Sequence, residues 1–205
     1  MLPFSIVVKN GPGFSKRPER FVKKPVIVFV QDFDETGYRK FCAKFSQAEA
    51  SGQGFVPIII NSYGGYTYDL FGMLNVIKHS KVPVYTYTGG KAMSCAAVLL
   101  SAGTKGCRYI GDYGTVLVHE VSSSFEGKSI EVKNDAEETQ RLNKVMLALL
   151  DKNCGQKSGF FEKEIHKKGH TDLFYNAVET KKIGLVDKIG RPEIVLEIDS
   201  VFLIK

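Results

Sequence analysis

The sequence predicts an α/β domain, and two strand-to-helix units in its first half carry that prediction. Residues 57–61, PIIIN, form an apolar strand pattern that is followed by a glycine pair at 64–65 and then by a helical pattern over residues 70–77. Residues 82–88, VPVYTYT, are β-branched and aromatic, and a glycine pair separates them from the helix-favouring run AMSCAAVLLSAG. With 205 residues and 43% hydrophobic content, the chain is long enough to bury one core of this kind.

Elements on either side of these units complete the predicted domain. Residues 9–20 are rich in Gly, Pro and Lys/Arg, which predicts a mobile N-terminal segment, residues 1–24, before a first core strand at 26–30. Residues 131–151 predict a long amphipathic helix that ends at Asn-Cys-Gly, 153–155. Its apolar positions recur at i, i+3, i+4 and i+7: Leu142, Val145, Met146 and Leu149.

Ser94 is a candidate nucleophile because it lies near the start of the second predicted helix. The first backbone N–H groups of a helix lack intrahelical partners, and the helix dipole favours negative charge there. The N–H of Cys95 is therefore available to a developing oxyanion. The alternative is that Ser94 is only a small residue that lets the helix pack closely.

The glycine pair at 64–65 offers a second backbone N–H donor for the developing oxyanion. A glycine turn between a strand and a helix lets backbone N–H groups approach a ligand closely. Most such pairs are only tight turns. This one lacks the Gly-x-Gly-x-x-Gly spacing and the Lys-Ser/Thr of phosphate-binding loops, so a nucleotide site is not expected.

Four motifs in order resemble the motif series of ClpP, the proteolytic subunit of Clp proteases: NSYGG, GKAMSCAAVLLSAG, VLVHE and DLFYNAVETKKIGLVDKIG. The resemblance covers roughly residues 25–190, which we take as the peptidase domain. The spacing from Gly65 to Ser94 and from Ser94 to His119 resembles that of the family without a gap. One short motif matches often by chance, whereas four at compatible spacing are specific.

The resemblance implies a catalytic triad. Ser94 matches the family nucleophile, His119 the general base and Asp172 the residue that holds the imidazole in the right tautomer. It also implies that Gly65 and the amide of Cys95 are the oxyanion-hole donors.

The residues alone leave other interpretations of this triad open. His119 ends an apolar strand pattern and is also compatible with a core histidine, while Asp172 is compatible with a cap or turn residue. The spacing from His119 to Asp172 is longer than the family leads us to expect, and Asp187 is a nearby competing carboxylate. We prefer Asp172, because Asp187 falls in GLVDKIG, a segment that closes the family fold away from the site.

Fold, assembly and partners follow from the same resemblance. It implies an α/β fold of the ClpP/crotonase type, with repeated β-β-α units and the 131–151 helix as a protruding handle through which two heptameric rings stack. Peptides or unfolded proteins would be hydrolysed in the enclosed chamber through an acyl-enzyme, without a cofactor or metal. No Walker motif is present, so an AAA+ unfoldase would be another chain.

Other functions share parts of this pattern. A capsid-maturation protease of a phage and a catalytically silent subunit of a mixed ring are the alternatives nearest to the family. An enzyme like signal peptide peptidase A would use a Ser-Lys dyad, usually with a membrane anchor, and a crotonase-type enzyme would act on acyl-CoA thioesters. The lack of an apparent anchor and the presence of a His-Asp pair argue against the first, and Ser94 followed by a fitting His119 argues against the second.

Three residues depart from the family pattern close to the expected site. Tyr63 stands where Pro usually follows Ser, Glu120 where Gln usually follows the histidine, and Asp112 where Pro is usual. Tyr63 and Glu120 are expected to alter the shape and charge around a bound peptide strand.

Composition narrows the possible partners, location and cysteine chemistry of the protein. The formal net charge of +6 raises nucleic-acid binding, but most basic residues are interleaved with acids and no nucleic-acid motif accompanies them, so nucleic acid is not an expected partner. No apolar run approaches the ~20 residues of a membrane helix, and the apolar stretch of MLPFSIVVKN is too short for a signal peptide, which predicts a cytoplasmic location. The four cysteines are dispersed, which predicts reduced thiols and no zinc site.

Residues 191–205 form a C-terminal extension beyond the resemblance. Its sequence, RPEIVLEIDSVFLIK, is β-prone and too apolar to be free in solvent. Two interpretations remain open: the extension adds an edge strand to its own subunit, or it covers the ring surface that receives an unfoldase.

Overall fold

A computed structural model describes residues 5–10, 25–169 and 171–198. In chain order its elements are β1 (Ser5–Asn10), β2 (Val28–Val30), α1 (Glu35–Ala50), β3 (Val56–Ile60), α2 (Thr67–Lys78), β4 (Val84–Thr88), β5 (Lys91–Met93), α3 (Cys95–Ser101), β6 (Arg108–Ile110), β7 (Thr115–Val118), α4 (Ser129–Cys154), α5 (Phe160–Lys167), β8 (Leu173–Tyr175), α6 (Ala177–Lys182), β9 (Lys188–Ile189) and β10 (Glu193–Ile198).

The main sheet has five strands in the order β2-β3-β4-β6-β9, and all its pairs are parallel. Every residue of β3 is buried, which explains its continuous apolar sequence: a parallel strand that is covered on both faces has no solvent side to alternate with. The predicted α/β class is confirmed by this sheet and the helices that alternate with its strands.

A second, smaller sheet has the order β5-β7-β8. β5 runs parallel to β7, with Met93 opposite Leu117, and β8 runs antiparallel to β7, with Leu173 opposite Val118. The ends of these three strands are therefore brought to one edge of the fold. This short sheet positions the three residues predicted to form the triad.

The helix α3 lies in the centre of the molecule, since all seven of its residues are buried. It contacts α2, α4 and the strands β4, β5 and β7. A helix surrounded in this way is a rigid support for the residue at its N-terminus, which is Ser94.

The predicted amphipathic helix is confirmed as α4 and is longer at both ends than residues 131–151. It ends at Gly155, whose φ of 69° is left-handed, as the sequence predicted from the Asn-Cys-Gly stop. With 26 residues it is about 39 Å long. All its buried residues lie at or after Leu142, so the N-terminal half of the helix is not embedded in the domain.

Two local predictions were wrong in detail. The first core strand begins at residue 28 instead of 26. Residues 92–93 were predicted to be helical, yet they belong to β5, where Ala92 pairs with Val116. Pairing with a distant strand overrides the helical preference of Ala and Met in this case.

The strands β1 and β10 form a parallel two-stranded sheet, with Ser5 opposite Glu193 and Asn10 opposite Ile198. The extension thus adds a strand that pairs within its own chain, as one of its two interpretations predicted. The predicted mobile segment 1–24 contains β1, and its other residues before Pro25, 1–4 and 11–24, lie outside the described residues, as do residues 199–205.

Candidate active site

The three residues predicted to form a triad flank the strands of the small sheet at the same edge. Ser94 follows the last residue of β5, His119 follows the last residue of β7, and Asp172 precedes the first residue of β8. Parallel β5 and antiparallel β8 both pair with β7 in a register that aligns these three ends. Residues far apart in sequence are brought together by this pairing.

Ser94 has a strained backbone, with φ at 56° and ψ at −123°; among the described residues it is the one non-glycine residue with positive φ. Such a conformation costs roughly 1–3 kcal/mol and persists where the surroundings enforce it. Here the N–H of Ser94 donates to the carbonyl of Leu117 at 2.9 Å, and its own carbonyl accepts from Ala97 N–H at 2.9 Å. A serine on a sharp strand-to-helix turn presents its hydroxyl as a nucleophile does in serine hydrolases.

The predicted oxyanion residues lie beside this serine. Cys95 is the first residue of α3, and its thiol donates to the carbonyl of Gly65 at 3.2 Å. Burial raises the pKa of the Cys95 thiol, which keeps it protonated as a donor. The thiol thus joins the start of α3 to the glycine turn.

Both glycines of the turn are required by close contacts. A Cβ on Gly64 would lie 2.7 Å from the Cβ of Ser94 and 3.3 Å from the amide nitrogen of Cys95. A Cβ on Gly65 would lie 2.5 Å from the carbonyl oxygen of Phe33. Their φ angles of 103° and 151° also favour glycine. The backbone of the turn therefore approaches the candidate nucleophile more closely than side chains would allow.

His119 and Asp172 face each other. The distance from Nδ1 of His119 to Oδ1 of Asp172 is 3.7 Å, and the side chains are 27% and 52% exposed. This separation is longer than a hydrogen bond, as catalytic contacts often are before substrate tightens them. The carboxylate lies on the Nδ1 side of the imidazole, where a carboxylate can orient the ring.

Asp187, the competing carboxylate, is engaged elsewhere. Its two oxygens accept from Nε and Nη2 of Arg108 at 2.9 and 2.7 Å, and one also accepts from the amides of Gly106 and Arg108. Burial alone would raise the pKa of Asp187, but the hydrogen bonds and charge of Arg108 outweigh it and lower the pKa to about 2. This carboxylate holds β6 to the segment that precedes β9.

A cavity of about 280 Å³ opens beside Ser94 and His119. Its walls are largely apolar and come from α3, β7 and α4: Val98, Val118, Leu142, Met146, Leu147 and Leu150. Gly65, Tyr66, Thr67 and Tyr68 line its other side. The space suits an apolar side chain next to the nucleophile.

Several contacts around this cavity were not predicted. The hydroxyl of Tyr68 donates to Oε1 of Glu138 at 2.5 Å, and Arg141 donates to both oxygens of the same carboxylate at 2.7 Å. Hydrogen bonds from Arg141, then from Tyr68, lower the pKa of Glu138 to about 2. The Glu138–Arg141 pair could have been inferred from its i, i+3 spacing, but its link to Tyr68 joins two separate helices.

The departures from the family pattern also have contacts. Nζ of Lys91 lies 3.6 Å from the centre of the Tyr63 ring, a cation–π contact beside the glycine turn. Oε1 of Glu120 lies 3.8 Å from Nε2 of His166, which joins the residue after His119 to α5. Asp112 is exposed and does not line the cavity.

Within the described residues, no group of three or more His, Cys, Asp or Glu side chains is arranged to hold a metal ion. None of the helices in the described ranges combines the length and the apolar character that crossing a membrane requires. The cysteines at 42, 95, 107 and 154 are not in disulfides.

An α/β fold with a strained serine, a histidine and a carboxylate at one sheet edge defines the class as serine peptidase-like. Comparison with known proteins gives the particular family: the family model of Clp protease matches residues 11–193, and the chain belongs to that family. It is a serine-type endopeptidase of the ClpP kind.

Two relatives show the extent of the similarity. ATP-dependent Clp protease proteolytic subunit 2 of Corynebacterium glutamicum is 28% identical over 191 residues, covering 92% of this chain and 93% of the relative. The protein of the same name from Frankia casuarinae is 32% identical over 134 residues, covering 65% of this chain and 60% of the relative.

Proposed function

We propose that this chain hydrolyses peptide bonds with Ser94 as nucleophile, His119 as general base and Asp172 as the group that orients the imidazole. The proposal rests on the alignment of these residues at one edge of the small sheet. Oγ of Ser94 attacks the scissile carbonyl carbon while His119 takes its proton. His119 then protonates the leaving amine, and an activated water clears the acyl-enzyme.

The oxyanion of the tetrahedral intermediate would be held by backbone N–H groups of Gly65 and Cys95. The close approach of the glycine turn to Ser94 and the helix start at Cys95 support these two donors. Each is worth about 3 kcal/mol of transition-state stabilisation in comparable sites.

The cavity beside Ser94 would receive the side chain on the acyl side of the scissile bond. Because Val98, Leu142, Met146 and Leu150 line it, we expect a preference for Leu- or Met-sized apolar side chains over charged ones. Burying such a side chain contributes about 1.5–3 kcal/mol, enough for a selectivity of one to two orders of magnitude.

The assembly we propose is a barrel of two stacked heptameric rings, with α4 as the handle between the rings. Support comes from the N-terminal half of α4, which has no buried residue in the isolated chain. The successive units β4-β5-α3 and β6-β7-α4 are consistent with the repeated β-β-α plan of the ClpP/crotonase type, since each contributes one strand to each sheet.

Folded substrates would need an AAA+ unfoldase from another chain. The relatives are named ATP-dependent, and this supports such a partner. We propose the cytoplasm as the compartment. A phage capsid-maturation protease and a catalytically silent ring subunit are not favoured by the family match and the similar relatives.

The test is hydrolysis of fluorogenic peptides that differ only at the residue before the scissile bond, measured across fractions from size-exclusion chromatography. We expect activity in ring-sized fractions, faster cleavage after Leu or Met than after Asp or Lys, and none with Ser94→Ala. Activity that survives Ser94→Ala would refute the mechanism. Full activity in a monomer fraction would refute the proposal that hydrolysis takes place inside a ring assembly.

A further inference from the structure

The backbone leaves the small sheet at His119. The last pair of the ladder between β7 and β8 joins Val118 to Leu173, so His119 is the first residue beyond it. From His119 to Glu126 the chain has no regular structure. Strand pairing therefore does not hold the chain on the C-terminal side of the general base.

The backbone of this segment is held by a side chain from α4, in addition to the ion pair that joins Glu120 to His166 of α5. The N–H of Val121, two residues after His119, donates to Oδ1 of Asn143 at 3.0 Å. Asn143 and Val121 are both half-buried. The flanking residue Leu142 lines the cavity beside Ser94, and so does Val121. The hydrogen bond thus joins the segment after His119 to the helix that forms one wall of the site.

We infer that Asn143 is a positioning residue for His119. This inference rests on the proposed function. Asn143 belongs to a helix packed against α3 and α5, so its amide oxygen is a fixed point to which the segment after His119 is attached. Asn143 is not among the residues that line the cavity, and it acts through Val121.

Loss of the acceptor would leave the half-buried N–H of Val121 without its partner and let the segment shift. The imidazole is attached two residues away, and it must be within hydrogen-bond reach of Ser94 to take the proton. A misplacement of about 1 Å costs on the order of 100-fold in rate in other enzymes. The effect should therefore be on the chemical step more than on substrate binding.

Two substitutions separate positioning from general stabilisation. Asn143→Leu has nearly the same shape but no acceptor, whereas Asn143→Asp keeps an oxygen that can accept from Val121 N–H. The matched control is Asn153→Leu. Asn153 is on the same helix, is also half-buried, and donates from Nδ2 to Oγ of Ser101 at 3.0 Å, but it does not line the cavity beside Ser94.

The measurements are kcat and KM for an apolar fluorogenic peptide, the rate of covalent reaction with a fluorophosphonate, and the thermal midpoint of the assembled protein. For Asn143→Leu we expect kcat to fall about 10- to 100-fold with KM changed less than about threefold. The fluorophosphonate rate should fall in parallel, because it also needs His119 to activate Ser94. Asn143→Asp should stay within about fivefold of the wild type.

Asn153→Leu should lower the thermal midpoint as much as Asn143→Leu does, with kcat within about twofold of the wild type. The inference is overturned if Asn143→Leu keeps its kcat, if Asn143→Asp is as impaired as Asn143→Leu, or if the control loses equal activity. If Asn143→Leu does not fold, Asn143→Ala and Asn153→Ala take the same roles. Wild-type protein without Ser94-dependent activity would refute the proposed function instead, which keeps the two failures distinct.

Discussion

Asn in place of Asp187 is expected to destabilise the protein strongly while leaving the chemistry of folded molecules unchanged. Arg108 is 1% exposed, and its guanidinium donates to both oxygens of Asp187. Removing one partner of a buried ion pair costs about 3–5 kcal/mol, because the remaining charge stays buried without compensation. The free energy of unfolding should therefore fall by that amount near neutral pH.

The pH dependence of this loss follows from the pKa of Asp187, about 2 in the folded protein. An unperturbed Asp has a pKa of about 3.9, so the folded value is depressed and the stabilisation is fully present above the unfolded value. It is lost as the pH falls from about 4 towards 2, and it amounts to about 2.6 kcal/mol. The Asp187→Asn variant lacks this titration. The difference in free energy of unfolding between the wild type and the variant should therefore narrow by that amount in acid.

Urea unfolding at a fixed protein concentration, repeated from neutral pH down through this pH range, measures both the loss of stability near neutral pH and its decrease in acid. Glu138→Gln is the matched control, because it also removes a carboxylate with a pKa of about 2 that is paired with an arginine, but on the surface. We expect the control to change stability little. An Asp187→Asn protein that is as stable as the wild type, or that is fully folded yet inactive, would show that Asp187 has been given the wrong role.

Three further substitutions test the site. Asp172→Asn should lower kcat about 10⁴-fold. The thermal midpoint should hardly change, because the carboxylate is half exposed. A mild effect on kcat would count against Asp172 as the third member of the triad. Met146→Ala enlarges the cavity and should shift kcat/KM towards peptides with Phe or Tyr before the scissile bond, at a cost of about 2–5 kcal/mol in stability; an unchanged preference would mean that the cavity does not bind this side chain. Gly64→Ala places a Cβ 2.7 Å from that of Ser94 and should reduce peptidase activity at least about tenfold in folded protein; near-normal activity would contradict the close approach of the turn.

Features set by neighbouring residues could be predicted from the sequence. The stop of α4 at Gly155 depends on local chemistry, namely a left-handed glycine directly after the last helical turn. The strand character of residues 193–198 followed from their β-prone composition.

Features that depend on distant partners could not be predicted in this way. Residues 91–93 are a strand because β7 pairs with them, and no local pattern indicates that pairing. The link from Tyr68 to Glu138 joins residues 70 positions apart, and the pair of Arg108 with Asp187 spans 79. Asn143 was missed for the same reason, because its side chain accepts from the backbone N–H of Val121, which is 22 positions away in the sequence.

Ser94 as the single nucleophile is tested most directly by reaction with a fluorophosphonate, followed by proteolysis and mass spectrometry of the labelled peptide. The strained backbone of Ser94 and its position beside His119 at the sheet edge predict one labelled residue, Ser94, and neither labelling nor peptide hydrolysis in Ser94→Ala. A label on any other serine, or hydrolysis that persists in Ser94→Ala, would contradict the assignment of the active site.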